Sequence, residues 1–262
     1  MAHAKLGAAT REQNQLMKLL AHDLRWRLIQ ELALTDRRVN ELGEKASQAQ
    51  NLVSYHLGLL RRAGVVRERR SSADARDVYY SLDLDELRFA LECSVQAVHP
   101  SLGLVEQRIT IRDSKPERVW RVLFLCTHNS ARSQMAEAIL RQLGLGVVDV
   151  ASAGSEPREV HPLVFRTLTE LGVDRKRLRS KHLSVFLEQS FDYVITLCDI
   201  VREVCPTFPG EPEHLHWSLP DPVAAGKSPR AAEAAFRQTA DDLMTRTRYL
   251  LSGLVKRSGV SP

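Results

Sequence analysis

The sequence predicts two domains of different class: a small α+β domain, followed by an α/β domain whose parallel sheet is flanked by helices. Three observations lead to this prediction. The 262 residues are too many for one average domain and suit two. Helical periodicity followed by two short strands occupies the first part. In the second part, two apolar runs suit strands buried on both faces, and a helical pattern follows the first of them.

Composition narrows the class of protein. Hydrophobic residues make up 44% of the chain and charged residues 26%, which is typical of soluble globular proteins. No run of eighteen apolar residues is present, and the first fifteen residues lack the apolar core of a signal peptide. We therefore expect a cytoplasmic protein. The four cysteines are too few for a disulfide scaffold and form no Cys-x-x-Cys pair, so we expect no structural metal.

The first domain, residues 1–105, is predicted to contain helices and a hairpin. Apolar residues recur at helical spacing from Leu16 to Leu32, and further helices fit Val39 to Ala46 and Gln50 to Ala63, with Gly64 as a natural stop. The third helix should turn its apolar residues inward, namely Leu52, Val53, Leu57, Leu59 and Leu60.

Two strands and a last helix should complete the domain. Residues 65–67 and 78–82 favour strands joined by a polar tip at 71–77. Apolar residues at helical spacing between 84 and 98 then indicate a helix that ends before Pro100. Helix, turn, helix and basic hairpin form the layout of a winged helix-turn-helix.

The polar residues of this first domain suit DNA binding. Side chains near the start of the third helix have the amide and hydroxyl groups that reach base edges in the major groove: Gln50, Asn51, Ser54, Tyr55 and His56. Six arginines fall between residues 61 and 76, and we expect Arg61, Arg69 and Arg70 among them to contact phosphates. The alternative is a small helical domain with a polar face and a solvated charged hairpin.

The segment 47–57, Ser-Gln-Ala-Gln-Asn-Leu-Val-Ser-Tyr-His-Leu, together with residues 60–66, resembles the ArsR-type transcriptional repressors. This resemblance implies an operator-binding homodimer. Arsenite-sensing members carry a Cys-x-Cys-type site where this chain has Leu34-Thr35-Asp36, and a lone Cys93 cannot supply three thiolates. Core packing is the preferred explanation of Cys93 over a role as a metal ligand. From this resemblance we therefore predict DNA binding but not metalloid sensing.

A polar stretch at residues 106–118 is predicted as a linker, and residues 119–262 as the second domain. Residues 119–125 read as a buried strand, and Cys126-Thr127-His128-Asn129-Ser130-Ala131-Arg132-Ser133 follows directly. Apolar residues at helical spacing begin again at Met135. A strand, a tight loop and a helix present an anion site, because the loop amides and the amino end of the helix carry partial positive charge.

The loop residues suggest cysteine-dependent chemistry on an oxyanion held by residues 127–132. Arg132 would grip two oxygens, and the positive field would keep Cys126 as a thiolate. Asn129 tolerates left-handed backbone geometry, and Ser133 can donate a hydrogen bond to the sulfur. Asp221, between two prolines, is a candidate proton donor for the leaving oxygen. A structural cysteine and a plain Asp-Pro turn are the alternatives.

Two more cysteines share this half of the chain. The apolar run 191–197 should deliver Cys198 to the sheet edge that holds Cys126. The residues between Cys198 and Cys205 suit a helix, and seven residues of helix rise about 10.5 Å. A disulfide requires Cα atoms roughly 4.4–6.8 Å apart, so the helix would have to unwind before the two thiols react. The alternative is two unrelated buried thiols.

Residues from about 122 to 253 resemble the thioredoxin-coupled arsenate reductases, which share the low-molecular-weight tyrosine phosphatase fold. The matching pieces are residues 125–138, Ser152-Ala153-Gly154, the segment from Thr196 to Pro206, His216-Trp217 and Asp221-Pro222. The resemblance implies that Cys126 attacks arsenate while Arg132 stabilises the charge and Asp221 protonates the departing oxygen. It implies further that Cys198 attacks Cys126 and releases arsenite, that Cys205 then attacks Cys198, and that reduced thioredoxin reduces the Cys198–Cys205 disulfide. It also implies that no cofactor is bound.

Two other functions fit the same residues. A phosphotyrosine phosphatase would use the same loop and Asp221 without Cys198 or Cys205. A repressor whose second half only senses an oxyanion or the redox state would use ligand binding to shift its DNA affinity. A reductase coupled to mycothiol or glutaredoxin is a nearer variant.

Overall fold

The computed structural model describes residues 16–96, 118–144, 146–226 and 228–257. The chain divides into two compact units, one containing residues 1–70 and 75–108 and the other residues 71–74 and 109–262. The predicted linker lies outside the described residues up to position 117, as does the predicted helix beyond residue 96. No helix in the described ranges is both long enough and apolar enough to cross a membrane.

The first unit is mainly helical with a small antiparallel sheet in the strand order β1-β3-β2. Residues 16–20 are helical. The elements that follow are α1 (Asp23–Leu32), β1 (Arg37–Arg38), α2 (Val39–Ala46), α3 (Gln50–Arg62), β2 (Val66–Arg70), β3 (Val78–Leu82) and α4 (Leu84–Gln96).

The core of this unit follows the predicted apolar spacing, with two corrections. Leu28, Leu42 and Leu57 are fully buried. Leu52, however, is 40% exposed, so the prediction that it points inward was wrong. The continuous helix predicted from Leu16 to Leu32 is also interrupted: residues 21–22 form a turn and a bend, and His22 caps a new helix by accepting a hydrogen bond from the backbone N–H of Leu24.

The second unit is an α/β layer structure. Its elements are β4 (Trp120–Cys126), α5 (Arg132–Leu143), β5 (Val148–Gly154), α6 (Pro162–Glu170), a 3₁₀ turn (Leu183–Phe186), β6 (Tyr193–Thr196), α7 (Asp199–Glu203), β7 (Glu213–His216), α8 (Pro222–Ala225) and α9 (Pro229–Arg257). The four strands are parallel, in the order β5-β4-β6-β7.

The predicted parallel sheet is confirmed, and its register assembles one edge. Strand β4 pairs Cys126 with Gly154 of β5 and Leu125 with Thr196 of β6, and β6 pairs Thr196 with His216 of β7. Residues 122–125 are fully buried because helices cover both faces of the central strand. The carboxyl ends of all four strands therefore meet where β4 delivers Cys126.

Candidate active site

The nucleophile candidate is the last residue of the central strand. Cys126 is 2% exposed, and its Sγ lies 2.9 Å from Ser133 Oγ. The loop 127–131 leads directly into α5, whose first residue is Arg132. Sequence predicted this strand, loop and helix, and the structure confirms them. The short loop brings the sulfur close to the amino end of a helix, where a negative charge is stabilised.

The backbone of the loop is held by the segment that follows β5. Asn129 has a φ of 45°, the left-handed geometry predicted for it. Three backbone hydrogen bonds join the two segments: Glu156 N to Thr127 O (2.8 Å), Arg158 N to His128 O (2.9 Å) and His161 N to Ser130 O (2.9 Å). Each N–H points opposite to the carbonyl of its peptide plane, so these bonds direct the N–H groups of the following residues toward the interior of the loop.

A chain of hydrogen bonds with fixed direction reaches the sulfur. The side-chain amide of Asn129 donates to Ser133 Oγ and to Ser152 Oγ, both at 2.8 Å, and its Oδ1 accepts from Lys181 N at 2.8 Å. Ser152 in turn donates to the carboxylate of Glu137. Because Ser133 Oγ accepts from Asn129, its own hydrogen is free to point at Cys126.

Three residues of this hydrogen-bond network were not predicted as site residues from the sequence. Ser152 and Glu137 lie within the segments that resemble arsenate reductases, but the sequence did not indicate which residues they contact. Lys181, whose Nζ lies 3.2 Å from Glu137 Oε2, gave no signal at all. The Glu137 carboxylate is nearly fully buried and also pairs with Arg141, so its charge is compensated.

Arg132 and Asp221 lie together at the mouth of the loop. Arg132 is 6% exposed, and its guanidinium donates to Leu219 O at 3.1 Å and lies 3.3 Å from Asp221 Oδ2. Asp221 caps α8, where its Oδ1 accepts from Val223 N at 3.1 Å. The cap fixes one carboxylate oxygen and leaves the other beside Arg132. Asp221 therefore forms the Asp-Pro turn that begins α8 and also places a carboxylate oxygen beside Arg132.

Cys198 is the second thiol at this edge. It is 1% exposed, it caps α7, and its Sγ lies 3.2 Å from Thr127 Oγ1. Burial raises the pKa of the Cys198 thiol, and the neighbouring Cys126 raises it further. The positive charge of Arg132 and the hydrogen bond from Thr127 oppose that rise in pKa. The thiol is thus protonated at rest beside groups that favour its thiolate.

Cys205 lies beyond the other end of α7. The helix predicted between the two cysteines is present as Asp199–Glu203. Cys205 is half-buried, and burial raises its pKa to about 11. All four cysteines of the chain are free thiols in this structure. The structure therefore brings Cys126, Ser133 and Cys198 together and keeps Cys205 one short helix away.

The remaining predicted oxyanion residues line the same loop. Thr127 and Ala131 are buried, and His128 and Ser130 are partly exposed. His128 Nδ1 lies 3.1 Å from Glu156 O, outside the anion cradle. The part of His128 that can take the predicted oxyanion-binding role is therefore its backbone N–H.

In the first unit, the predicted DNA-contacting residues separate into two groups. Gln50, Asn51, Ser54 and Tyr55 are exposed on α3. His56 is 5% exposed, with its ring centroid 4.5 Å from that of His22, and burial lowers its pKa. His56 therefore does not share the exposed face, because position 56 turns toward α1.

The predicted arginines of the hairpin are engaged locally. Arg61 pairs with Glu68. Arg69 donates to Arg70 O, and Arg70 donates to Ala75 O, each at 3.0 Å. Arg61 and Arg70 remain exposed, and Arg69 is partly exposed.

Comparison with known proteins agrees with the geometry of the second unit. Residues 121–259 match the family described as low molecular weight phosphotyrosine protein phosphatase. An arsenate reductase of Halalkalibacterium halodurans is 36% identical over 127 residues, which cover 48% of this chain and 91% of that protein. An arsenate reductase of Bacillus cereus strain G9842 is 39% identical over 106 residues, covering 40% and 78%.

Among solved structures, a thioredoxin-dependent arsenate reductase of Corynebacterium glutamicum is 25% identical with a TM-score of 0.44, covering 84% of this chain and 95% of its own. The family match spans just over half of the chain and includes the Cys126 loop, Arg132, Cys198, Cys205 and Asp221. The chain belongs to the low molecular weight phosphotyrosine protein phosphatase family and is an enzyme, with arsenate reductases among its relatives.

Proposed function

We propose that the second unit reduces arsenate to arsenite through a cascade of three cysteines, with reduced thioredoxin as the electron donor. One observation carries this proposal: a second buried thiol, Cys198, lies against Thr127 of the nucleophile loop, and a third, Cys205, follows one short helix later. Ester hydrolysis in this family of sites needs only the loop cysteine, Arg132 and Asp221. It contains no step that uses Cys198 or Cys205.

The first step is attack by the Cys126 thiolate on arsenic. Arg132 and the loop N–H groups bind the arsenate oxygens, which stabilises the charge that builds on them. Asp221 donates a proton to the departing oxygen, which leaves as water while the S–As bond forms. Its position beside Arg132 at the mouth of the loop supports this role.

The second step transfers two electrons. The Cys198 thiolate attacks Cys126 Sγ, the S–As bond breaks, and its electron pair stays on arsenic, which leaves as arsenite. The product is a Cys126–Cys198 disulfide. The Thr127 hydroxyl and the Arg132 charge favour the thiolate of Cys198 at the place where it has to attack.

The third step frees the nucleophile. The Cys205 thiolate attacks Cys198 Sγ, and Cys126 leaves as a thiolate. Because α7 separates the two cysteines, this exchange requires the helix to unwind. The Cys198–Cys205 disulfide is then reduced by the dithiol of thioredoxin. No bound metal or organic cofactor enters these steps, and free thiols of this kind fit the reducing cytoplasm.

Steady-state arsenate reduction with thioredoxin, thioredoxin reductase and NADPH tests the proposal. We expect Cys198→Ser and Cys205→Ser to abolish turnover while p-nitrophenyl phosphate hydrolysis stays within about threefold of wild type. Cys93→Ser is the matched control and should leave both activities unchanged. Full arsenate turnover by either serine variant would refute the cascade. Glutaredoxin and mycothiol, supplied in turn, identify the reductant, and activity with one of them alone would replace thioredoxin in the proposal.

For the first unit we propose a winged helix-turn-helix that binds operator DNA as a homodimer. In this proposal residues 1–105 form the DNA-binding domain, 106–118 the linker and 119–262 the reductase. The exposed row of Gln50, Asn51, Ser54 and Tyr55 on α3 supports the proposal, because these side chains have free access to base edges. The exposed arginines of the β2–β3 hairpin are suited to phosphates. His56 is left out because it is buried.

Duplexes selected from a random-sequence pool, and then measured by fluorescence anisotropy, test DNA binding. Ser54→Ala and Tyr55→Ala should weaken the selected site more than an unrelated duplex. Arg69→Ala with Arg70→Ala should weaken both equally and lower the salt dependence. Glu92→Ala, on α4, is the control. Failure to enrich any sequence would refute specific binding, and adding arsenate, arsenite or an oxidant tests whether the repressor responds to them.

A further inference from the structure

We infer that Asp199 is a positioning residue that fixes the amino end of α7, so that Cys198 stays at the nucleophile loop while the rest of the helix unwinds. The inference rests on the proposed cysteine cascade and assigns a role that neither the motifs nor the relatives supply. Its basis is the hydrogen bonding of one buried carboxylate next to Cys198.

The carboxylate of Asp199 is fully buried, and both of its oxygens accept hydrogen bonds. Oδ2 accepts from Ser72 N at 2.7 Å and from Ser72 Oγ at 2.8 Å, and Oδ1 has two other partners. Ser218 Oγ donates to Asp199 Oδ1 at 2.6 Å, and His216 Nε2 lies 3.1 Å from the same atom. A carboxylate oxygen only accepts, so His216 donates from Nε2. A buried charge is retained where it has such partners, and removing them leaves it uncompensated.

The two partners of Asp199 Oδ1 lie at the end of β7 and directly after it. His216 ends β7, pairs with Thr196 of β6, and its Nδ1 lies 2.9 Å from Thr196 Oγ1. Trp217, between the two donors, donates its backbone N–H to Thr196 O at 2.9 Å. Asp199 Oδ1 is therefore attached, through two side chains, to the carboxyl end of the β6–β7 pair.

The other end of α7 differs from the Asp199 end in its exposure to solvent. The helix has five residues, too few to be stable by itself, and its distal side is open: Ile200 is 46% exposed and Val204 62%. Unwinding should begin at this exposed end. With Asp199 fixed, Cys205 moves toward Cys198, and Cys198 keeps its contact with Thr127.

This arrangement predicts which step depends on Asp199. Without the attachment, Cys198 has more freedom at the moment when it must attack Cys126 Sγ. A misplacement of about 1 Å in a reacting group costs roughly 100-fold in rate. The first disulfide exchange should therefore slow, and ester hydrolysis, which does not use Cys198, should not.

The experiment compares wild type, Asp199→Ala, Asp199→Asn and, as the matched control, Glu203→Ala at the exposed end of the same helix. Single-turnover arsenite release is measured without thioredoxin, beside p-nitrophenyl phosphate hydrolysis. We expect Asp199→Ala to slow arsenite release at least tenfold. Asp199→Asn keeps an acceptor oxygen for Ser218 and His216 but places its NH2 group where Ser72 N donates, so it should slow arsenite release less than Asp199→Ala does. Glu203→Ala should stay within threefold of wild type. Ester hydrolysis should remain within twofold in all of them.

Three results would overturn the inference: wild-type arsenite release in Asp199→Ala, an equal loss in the alanine and asparagine variants, or a parallel loss of ester hydrolysis. If Asp199→Ala does not fold, Ser218→Ala removes one donor alone and should slow arsenite release about threefold with the same sparing of ester hydrolysis.

A second readout separates this inference from the proposed function. In Cys126→Ser protein, iodoacetamide labelling of Cys198 is followed by mass spectrometry. Asp199→Ala should label at least fivefold faster than Glu203→Ala, because Cys198 is 1% exposed only while the turn is held. Equal labelling refutes the role of Asp199 whatever the substrate. Faster labelling, combined with no arsenite release by wild type, refutes arsenate reduction and leaves the positioning role in place.

Discussion

Substituting alanine for Gly154 tests how closely the loop after β4 depends on its neighbour. Gly154 ends β5 opposite Cys126, and its φ is not in the left-handed region, so the backbone itself would accept any residue. Space is the constraint. A Cβ at this position would lie 2.6 Å from Thr127 O and 2.8 Å from Asn129 N. Ordinary contact begins at 3.4 Å, so the loop would have to retreat by about 0.8 Å.

This displacement would move the backbone of the nucleophile loop itself. Both contacting atoms are backbone atoms of the nucleophile loop, and Thr127 O also accepts the hydrogen bond from Glu156 N. A shift approaching 1 Å in groups that bind the reacting oxyanion costs about 100-fold in rate, or about 2.7 kcal/mol of barrier. We expect kcat/KM for p-nitrophenyl phosphate to fall by this factor in Gly154→Ala.

The control is Gly253→Ala on α9, where a Cβ would meet nothing within 4 Å. Alanine in a helix is favoured over glycine by about 0.5–1 kcal/mol, so this variant should keep its activity and gain slightly in stability. Both variants are assayed by steady-state kinetics, with thermal unfolding as the check on folding. A folded Gly154→Ala enzyme with kcat/KM within threefold of wild type would refute the steric reasoning.

Three further predictions concern individual side chains. Asp221→Asn should lower phosphate-ester hydrolysis about 100-fold for phenyl phosphate and far less for p-nitrophenyl phosphate, whose leaving group needs no proton; equal losses would refute a proton donor. The pKa of Cys205 is raised to about 11, so iodoacetamide labelling of this thiol in the resting enzyme should increase about tenfold per pH unit from 7.5 to 9.5, and a plateau near pH 8.5 would contradict this. Glu137→Gln leaves Lys181 without its buried partner and should cost about 3 kcal/mol, measured by hydrogen exchange of the β4 amides; unchanged protection would count against it.

The parts of the site that lie consecutively in the chain were predictable from the sequence. The β4 strand, the loop from Cys126 to Arg132 and the start of α5 follow one another, so local patterns identified all three. The helix between Cys198 and Cys205 was predicted for the same reason. In each case the signal was local: apolar periodicity on either side of a short polar segment.

The parts that the sequence did not disclose depend on pairing between distant segments. Asn129 reaches Ser152 across 23 residues because the parallel register of β4 and β5 brings their ends together. Lys181 reaches Glu137 across 44 residues, and its backbone is held at the end of β5, where Gly154 N donates to Lys181 O at 3.0 Å. His56 was misplaced for a different reason: the helical pattern counts histidine as polar, whereas this ring packs against His22 inside the first unit. Only packing reveals such a contact.

The electrostatics of the three thiols set the order of the proposed cascade. At rest, burial keeps both Cys198 and Cys205 protonated, so neither attacks prematurely. Of these two thiols, Cys198 has a hydroxyl and a guanidinium that lower its pKa and so favour its thiolate. In the proposed cascade, bonding of Cys126 to arsenic removes the Coulombic effect by which Cys126 raises the pKa of Cys198. Cys205 has no such neighbour among the causes of its pKa shift, and burial alone raises that pKa. In the proposed cascade, unwinding of α7 would expose Cys205 and thereby lower its pKa. The same motion that brings this thiol to Cys198 therefore also activates it, which places the second exchange after the first.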